Sequence, residues 1–152
     1  MTQVLFYLCE RSPLAQVLPD LLEKSLQRGW KAVVQCVSDA RLLALDQLLW
    51  TYRDDSFMPH GTARDGDGAR QPVYLTTAAE SPNGAAVRFC VEGADPAPWL
   101  DQPGYQRIVV IFDGTDQDGL ELARQQWKLL KPTSHERTYF QQNDDGRWVK
   151  VA

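Results

Sequence analysis

Val4-Leu5-Phe6-Tyr7-Leu8-Cys9-Glu10-Arg11-Ser12-Pro13 is an apolar run that stops at a charged pair and passes into a helix-start signal. A short apolar run bounded by charge suits a buried strand. Ser12 and Pro13 then read as N-cap and first helical position, where a missing backbone N–H costs nothing. Leu14, Val17, Leu18, Leu21, Leu22 and Leu26 follow at helical spacing, and Gly29 fits the stop. Pro19 falls inside that pattern and is expected to kink the helix or to mark its true start. Ala32-Val33-Val34-Gln35-Cys36-Val37 reads as a second buried strand, and Ser38 or Asp39 can cap a helix over residues 40–50. Strand, helix, strand, helix at these lengths predicts an α/β sheet with parallel neighbours.

Downstream, residues 60–70 are rich in glycine and charge and read as a mobile loop. Residues 71–77 and 86–91 read as strands split by a turn at Ser81-Pro82-Asn83-Gly84. Arg107-Ile108-Val109-Val110-Ile111-Phe112 carries the strongest strand signal in the chain. Strands 4–9, 32–36 and 108–112 are expected side by side in one largely parallel sheet. A helix should open at Thr115 or Asp116 and run to about Lys131. Asp144-Asp145-Gly146, between apolar runs at 138–141 and 148–151, predicts a closing hairpin. No linker divides the chain, so residues 1–152 read as one α/β domain, a central sheet flanked by helices.

Composition narrows the function classes. Hydrophobic residues at 43% and charged ones at 24% suit a globular protein. The net charge of −4 argues against nucleic-acid binding by the whole surface and leaves room for a local basic face. Cys9, Cys36 and Cys90 form neither a disulfide framework nor a zinc pattern. The apolar run 4–8 is too short for a signal peptide, and nothing approaches the roughly 20 apolar residues of a membrane span. The expectation is a reduced cytoplasmic protein with no membrane contact.

Catalytic motifs are not legible. An acid after an apolar strand, Asp113 after Phe112, resembles half of a nucleotidase site, but no G-x-x-x-x-G-K-[ST] loop accompanies it. The turn after the first strand has no glycine, so a dinucleotide fingerprint is missing too. Four residues, not five, separate Cys36 from Arg41, which rules out a phosphatase loop and leaves Cys36 as a buried thiol. His60 and His135 lack a local nucleophile motif, and Asp65-Gly66-Asp67-Gly68 lacks the remaining ligands of a calcium loop. No catalytic residue, metal or cofactor is expected.

Two stretches point instead to recognition. Leu45 to Trp50 is a leucine-rich helical run, after which Tyr52, Phe57 and Met58 keep placing large apolar groups among Arg53, Asp54, Asp55 and Ser56. Apolar and aromatic side chains outside regular structure are what partner surfaces are made of. In the late helix, at 100° per residue, Leu120, Ala123, Trp127 and Leu130 form one arc and Arg124, Lys128 and Lys131 the next. An indole bordered by cations suits an anion that also carries an apolar group, and arginine can grip a carboxylate through two parallel hydrogen bonds.

The pattern L-D-x-x-L-W…S-F-x-P-H over Leu45 to His60 resembles the chi subunit family of bacterial DNA polymerase III. Phe6-Tyr7-Leu8, Arg28-Gly29-Trp30 and Ala123-Arg124-Gln125-Gln126-Trp127-Lys128 sit where that family has counterparts, so the resemblance covers most of the chain. It implies a Rossmann-like α/β sheet without the phosphate-binding loop, and a non-catalytic accessory subunit of the holoenzyme, in which nucleotidyl transfer belongs to other chains. It implies two partners. Arg124, Trp127 and Lys128 match residues that hold the acidic, phenylalanine-ended C-terminal tail of single-stranded DNA-binding protein; Lys131 has no such match and is named as an auxiliary cation for its place on the same helical arc. Trp127 stands where other members have tyrosine, which keeps the platform and exchanges a hydroxyl for an N–H. Trp50 and Phe57 match the contact to the psi subunit, and Met58 and Pro59 are expected to extend the same apolar patch toward psi or another clamp-loader component. DNA contact is expected mainly through the partner. The alternative is a stand-alone enzyme or small-ligand binder that uses the strand ends near Cys9, Cys36 and Asp113.

Overall fold

The first strand, β1 (Gln3–Cys9), is buried at nearly every position and lies inside the sheet, between β5 (Arg107–Asp113) and β6 (Glu136–Gln142). The structure, a computed structural model, describes residues 2–52, 59–66, 68–100, 104–130 and 136–151. Phe57, Met58 and Lys131 lie outside the described residues. With β2 (Ala32–Gln35), β3 (Val73–Thr76), β4 (Val87–Val91) and β7 (Trp148–Lys150), the described strands make one sheet of order β3-β2-β4-β5-β1-β6-β7. Every neighbouring pair is parallel except the closing hairpin β6–β7.

The strands read at 4–9, 32–36 and 108–112 share this sheet and run parallel, but they are not all adjacent. β4 lies between β2 and β5. All five residues of β4 are buried, and a strand covered on both faces belongs inside a sheet. The shorter β3 takes the edge, where Gly61 covers part of it: the Gly61 N–H donates to the Val73 carbonyl, and the Leu75 N–H to the Gly61 carbonyl.

Side chains alternate across the sheet. Leu5, Val34, Phe89 and Ile111 pack with Val17, Leu18 and Leu22 of α1 (Leu14–Gln27) and with Leu45 and Leu49 of α2 (Asp39–Thr51). Phe6, Val33, Cys90, Val110 and Phe112 face the other way, onto Trp99 and onto Ala123 and Leu130 of α3 (Gln117–Leu130).

The helix ends explain three departures from the expected boundaries. Pro13, not Ser12, occupies the N-cap of α1. Ser12 is engaged across the sheet edge, its N–H donating to Gln142 Oε1 and its hydroxyl accepting from Gln142 Nε2. Pro19 lies within α1, so it does not mark the start. Residues 60–70 are built structure and not a bare loop: His60 and Thr62 are buried, and Thr62 and Asp65 form a reciprocal capping box around the 3-10 turn Ala63–Asp65.

At the other end of α1, Gly29 at φ +81° lets its N–H reach the Leu26 carbonyl (2.9 Å) while the Trp30 N–H reaches the Ser25 carbonyl (3.1 Å). This double bond pattern satisfies the last carbonyls of the helix. A methyl group at Gly29 meets nothing within 4 Å, so its cost is purely conformational. Gly29→Ala is expected to lower stability by about 1–2 kcal/mol, read as a lower urea midpoint with unchanged slope. An unchanged midpoint would mean that the turn rearranges freely.

Candidate functional site

The amphipathic α3 buries Ala123 and Leu130 and leaves Arg124 and Lys128 exposed. Between α3 and the β6–β7 hairpin runs a groove of about 320 Å³, lined by Phe112, Leu120, Ala123, Arg124, Trp127, Lys128, Tyr139 and Val151. Three of the four residues singled out on this helix thus reach one groove. Its apolar floor is held by aromatic contacts. The Trp127 ring stands edge-on to Phe6 at 5.3 Å and to Tyr139 at 5.9 Å, and Tyr139 lies 5.9 Å from Phe112. Arg137 fixes the indole further: its guanidinium lies 4.0 Å from the ring centroid and donates to the Trp127 carbonyl.

The rim is cationic and wet. Arg124 has 64% of its side chain exposed, and its ion-pair partner among the described residues is Glu121, about as exposed, at 4.0 Å. Such a surface pair contributes little and leaves the guanidinium available. Burial and the Glu10 carboxylate push the Tyr139 hydroxyl above its usual range, while the Arg124 charge acts in the opposite direction. Arg124 therefore projects its field over the groove's aromatic wall. Sequence reading missed Phe112, Tyr139 and Val151 as lining residues, because they arrive from β5, β6 and the chain beyond β7. Their signal was the alternation of β5 and the hairpin turn, neither of which says which helix they meet.

The second stretch lies across the molecule. Trp50, at the end of α2, is 51% exposed and rests against the His60 ring at 4.7 Å. His60 is buried with Nε2 3.0 Å from Asp46 Oδ1, so it anchors the segment after α2 to the helix itself. Pro59 is exposed beside it.

A third concavity, about 740 Å³, opens at the C-terminal ends of β1 and β5, where Cys9 pairs with Asp113. Open α/β sheets use this position for ligands. Of the residues named for such a use, Cys9 and Asp113 line the crevice and Cys36 does not, although Val37 and Arg41 reach it from the chain after β2. Asp113 Oδ1 accepts from the Thr115 N–H and hydroxyl, the work of a turn residue. Burial, reinforced by Asp113, pushes the Cys9 thiol up to about 12, and burial with Glu92 does the same to Cys36. At pH 8 about one molecule in ten thousand then carries either thiolate. All three cysteines are expected to react with an aromatic disulfide reagent only on unfolding in urea; a rapid thiol in the folded protein would assign a reactive centre to the crevice.

Among the described residues no helix is long and apolar enough to cross a membrane. The sequence model of the family described as "DNA polymerase III chi subunit, HolC" matches residues 1–138. A probable DNA polymerase III subunit chi from Rickettsia prowazekii is 32% identical over 138 residues, covering 87% of this chain and 81% of the relative. A DNA polymerase III subunit chi from Pseudomonas aeruginosa is 35% identical over 78 residues, covering 49% and 54%.

Proposed function

The chain belongs to the DNA polymerase III chi subunit family, accessory subunits of that polymerase, and we propose that it tethers the clamp-loader assembly to DNA coated with single-stranded DNA-binding protein. The contact is the acidic C-terminal tail of that protein, held in the α3 groove. The observation that carries this reading is the meeting of Arg124 and Lys128 with the Trp127 ring at one open groove. Arg124 takes the terminal carboxylate and Lys128 offsets the acids before it. The apolar slot between Leu120, Trp127 and Tyr139 takes the terminal phenyl ring. At about 320 Å³ the groove is at the small end of ligand sites, in keeping with one anchored side chain.

The exposed Trp50 and Pro59 face psi or another clamp-loader component in this reading, while Phe57 and Met58, named with them from the sequence, lie outside the described residues. Its work is recognition in the cytoplasm, and the nucleotidyl transfer belongs to other subunits of the holoenzyme. The test is titration of the full chain with an acidic peptide ending in phenylalanine, beside thermal melts with nucleotide. Peptide binding without a nucleotide shift supports the reading. A nucleotide shift without peptide binding supports a small-ligand site in the crevice at the strand ends.

A further inference from the structure

A second cationic site lies at the N-terminal edge of the parallel strands, away from the α3 groove. A groove of about 710 Å³ is lined there by Gln3, Arg28, Trp30, residues 104–107 and Glu136, and it shares no residue with the α3 groove. The glycine turn that ends α1 presents Arg28 and Trp30 on either side of Gly29. Arg107 arrives from the start of β5. The Arg28 guanidinium carbon lies 5.2 Å from the Trp30 ring centroid and that of Arg107 lies 5.3 Å from the same centroid.

Arg107 Nε donates to the neutral Gln3 Oε1 at 3.2 Å, and among the described residues no carboxylate stands within ion-pair distance of Arg28 or Arg107. Glu136 lines the groove without pairing. Arg11, Arg41 and Arg124, by contrast, each have a carboxylate within 4.0 Å. The two cations also work against each other: after burial, the Arg28 charge is the next cause that holds Arg107 below its usual range. Two like charges on one indole are an arrangement that a bound anion relieves.

We propose that this groove binds the phosphodiester backbone of single-stranded DNA, with Arg28 and Arg107 on phosphate oxygens and Trp30 against the adjoining sugar or base. Guanidinium groups match phosphate oxygens in pairs. Aromatic rings interleaved with cations along an open groove are the recurring chemistry of single-strand binding. A phenylalanine-ended acidic peptide also carries an anion and a ring, and its competition for this groove is an outcome of the test below. The site is independent of the tail-binding reading, and it gives an acidic protein the local basic face that its net charge hides.

The experiment is fluorescence anisotropy of a labelled oligothymidylate titrated with the full chain at low salt. Saturable binding is expected, weakening with salt at a log–log slope of about −1.4 for two phosphate contacts on a single strand. Arg28→Glu, at an exposed position, and the double variant Arg28→Ala with Arg107→Ala should each weaken binding at least tenfold. Arg28→Glu should bind the acidic tail peptide as the parent does. Absence of binding, or binding unchanged in Arg28→Glu, overturns the proposal. Inhibition by inorganic phosphate at the same concentration as by unlabelled oligonucleotide phosphate would reduce the site to a free-anion site and overturn the strand assignment. Competitive displacement by the acidic tail peptide in an Arg124→Ala background would make it a peptide site and overturn it equally.

Discussion

Arg88→Ala is expected to destabilise the fold by about 3–5 kcal/mol, the cost of breaking a buried charged network. Arg88 is fully buried in β4, on the sheet face that carries Cys90 and Trp99. Among the described residues no carboxylate neutralises it. Its guanidinium donates instead to Gln35 Oε1 (2.9 Å), the Glu80 carbonyl (2.9 Å), the Ala78 carbonyl (3.2 Å) and the Tyr105 hydroxyl (3.2 Å). Its planar face lies 3.6 Å from the Trp99 ring centroid. Gln35 Oε1 also accepts from Trp99 Nε1, so one amide oxygen ties arginine to indole. Removing the guanidinium leaves several buried acceptors without donors and opens a void. For a domain of this length the loss corresponds to a fall of roughly 6–20 °C in Tm. Arg88→Met fills the void but not the acceptors, and should lie between alanine and the parent. A loss below about 1 kcal/mol for alanine would show that water replaces the network at little cost.

Arg88 also shows where sequence reading stops. Residues 86–91 were legible as a strand because Val87, Phe89 and Val91 alternate, but alternation assigns Arg88 to the opposite face without saying that this face is also buried. The same limit governs the sheet order. Periodicity marks strands 4–9, 32–36 and 108–112 and says nothing about which neighbours they take, so the insertion of β4 between β2 and β5 was invisible. Ser12 looked like a cap because its rival partner, Gln142, is far away in sequence. Thr62 and Asp65 were a readable capping box, outweighed by the glycines around them. The helical faces were the most legible part: spacing alone puts Arg124, Trp127 and Lys128 together, and the structure adds the strand residues that turn a helix face into a groove. Trp50 is exposed, as a partner-facing residue should be, while Phe57, Met58 and Lys131 fall outside what the structure describes.

Arg124→Ala is expected to weaken binding of the phenylalanine-ended acidic peptide by roughly 1.5–3 kcal/mol, the usual worth of a hydrogen bond to a charged group. That is on the order of tenfold or more in Kd. The size follows from exposure. With most of its side chain in solvent and, among the described residues, a weak surface pair with Glu121, Arg124 needs no buried bond broken before it binds, but its contact is screened. Affinity should therefore fall as salt rises. Amidating the peptide's terminal carboxylate should cost a similar amount, and in the Arg124→Ala background it should add little, because both changes remove one contact. Lys128→Ala should behave differently: its loss should add to that of amidation, since it faces the tail's side-chain acids. If amidation and Arg124→Ala are fully additive, the carboxylate is held elsewhere on the rim. The assignment to Arg124 then fails while membership of the chi family stands, because membership does not say which cation meets a peptide.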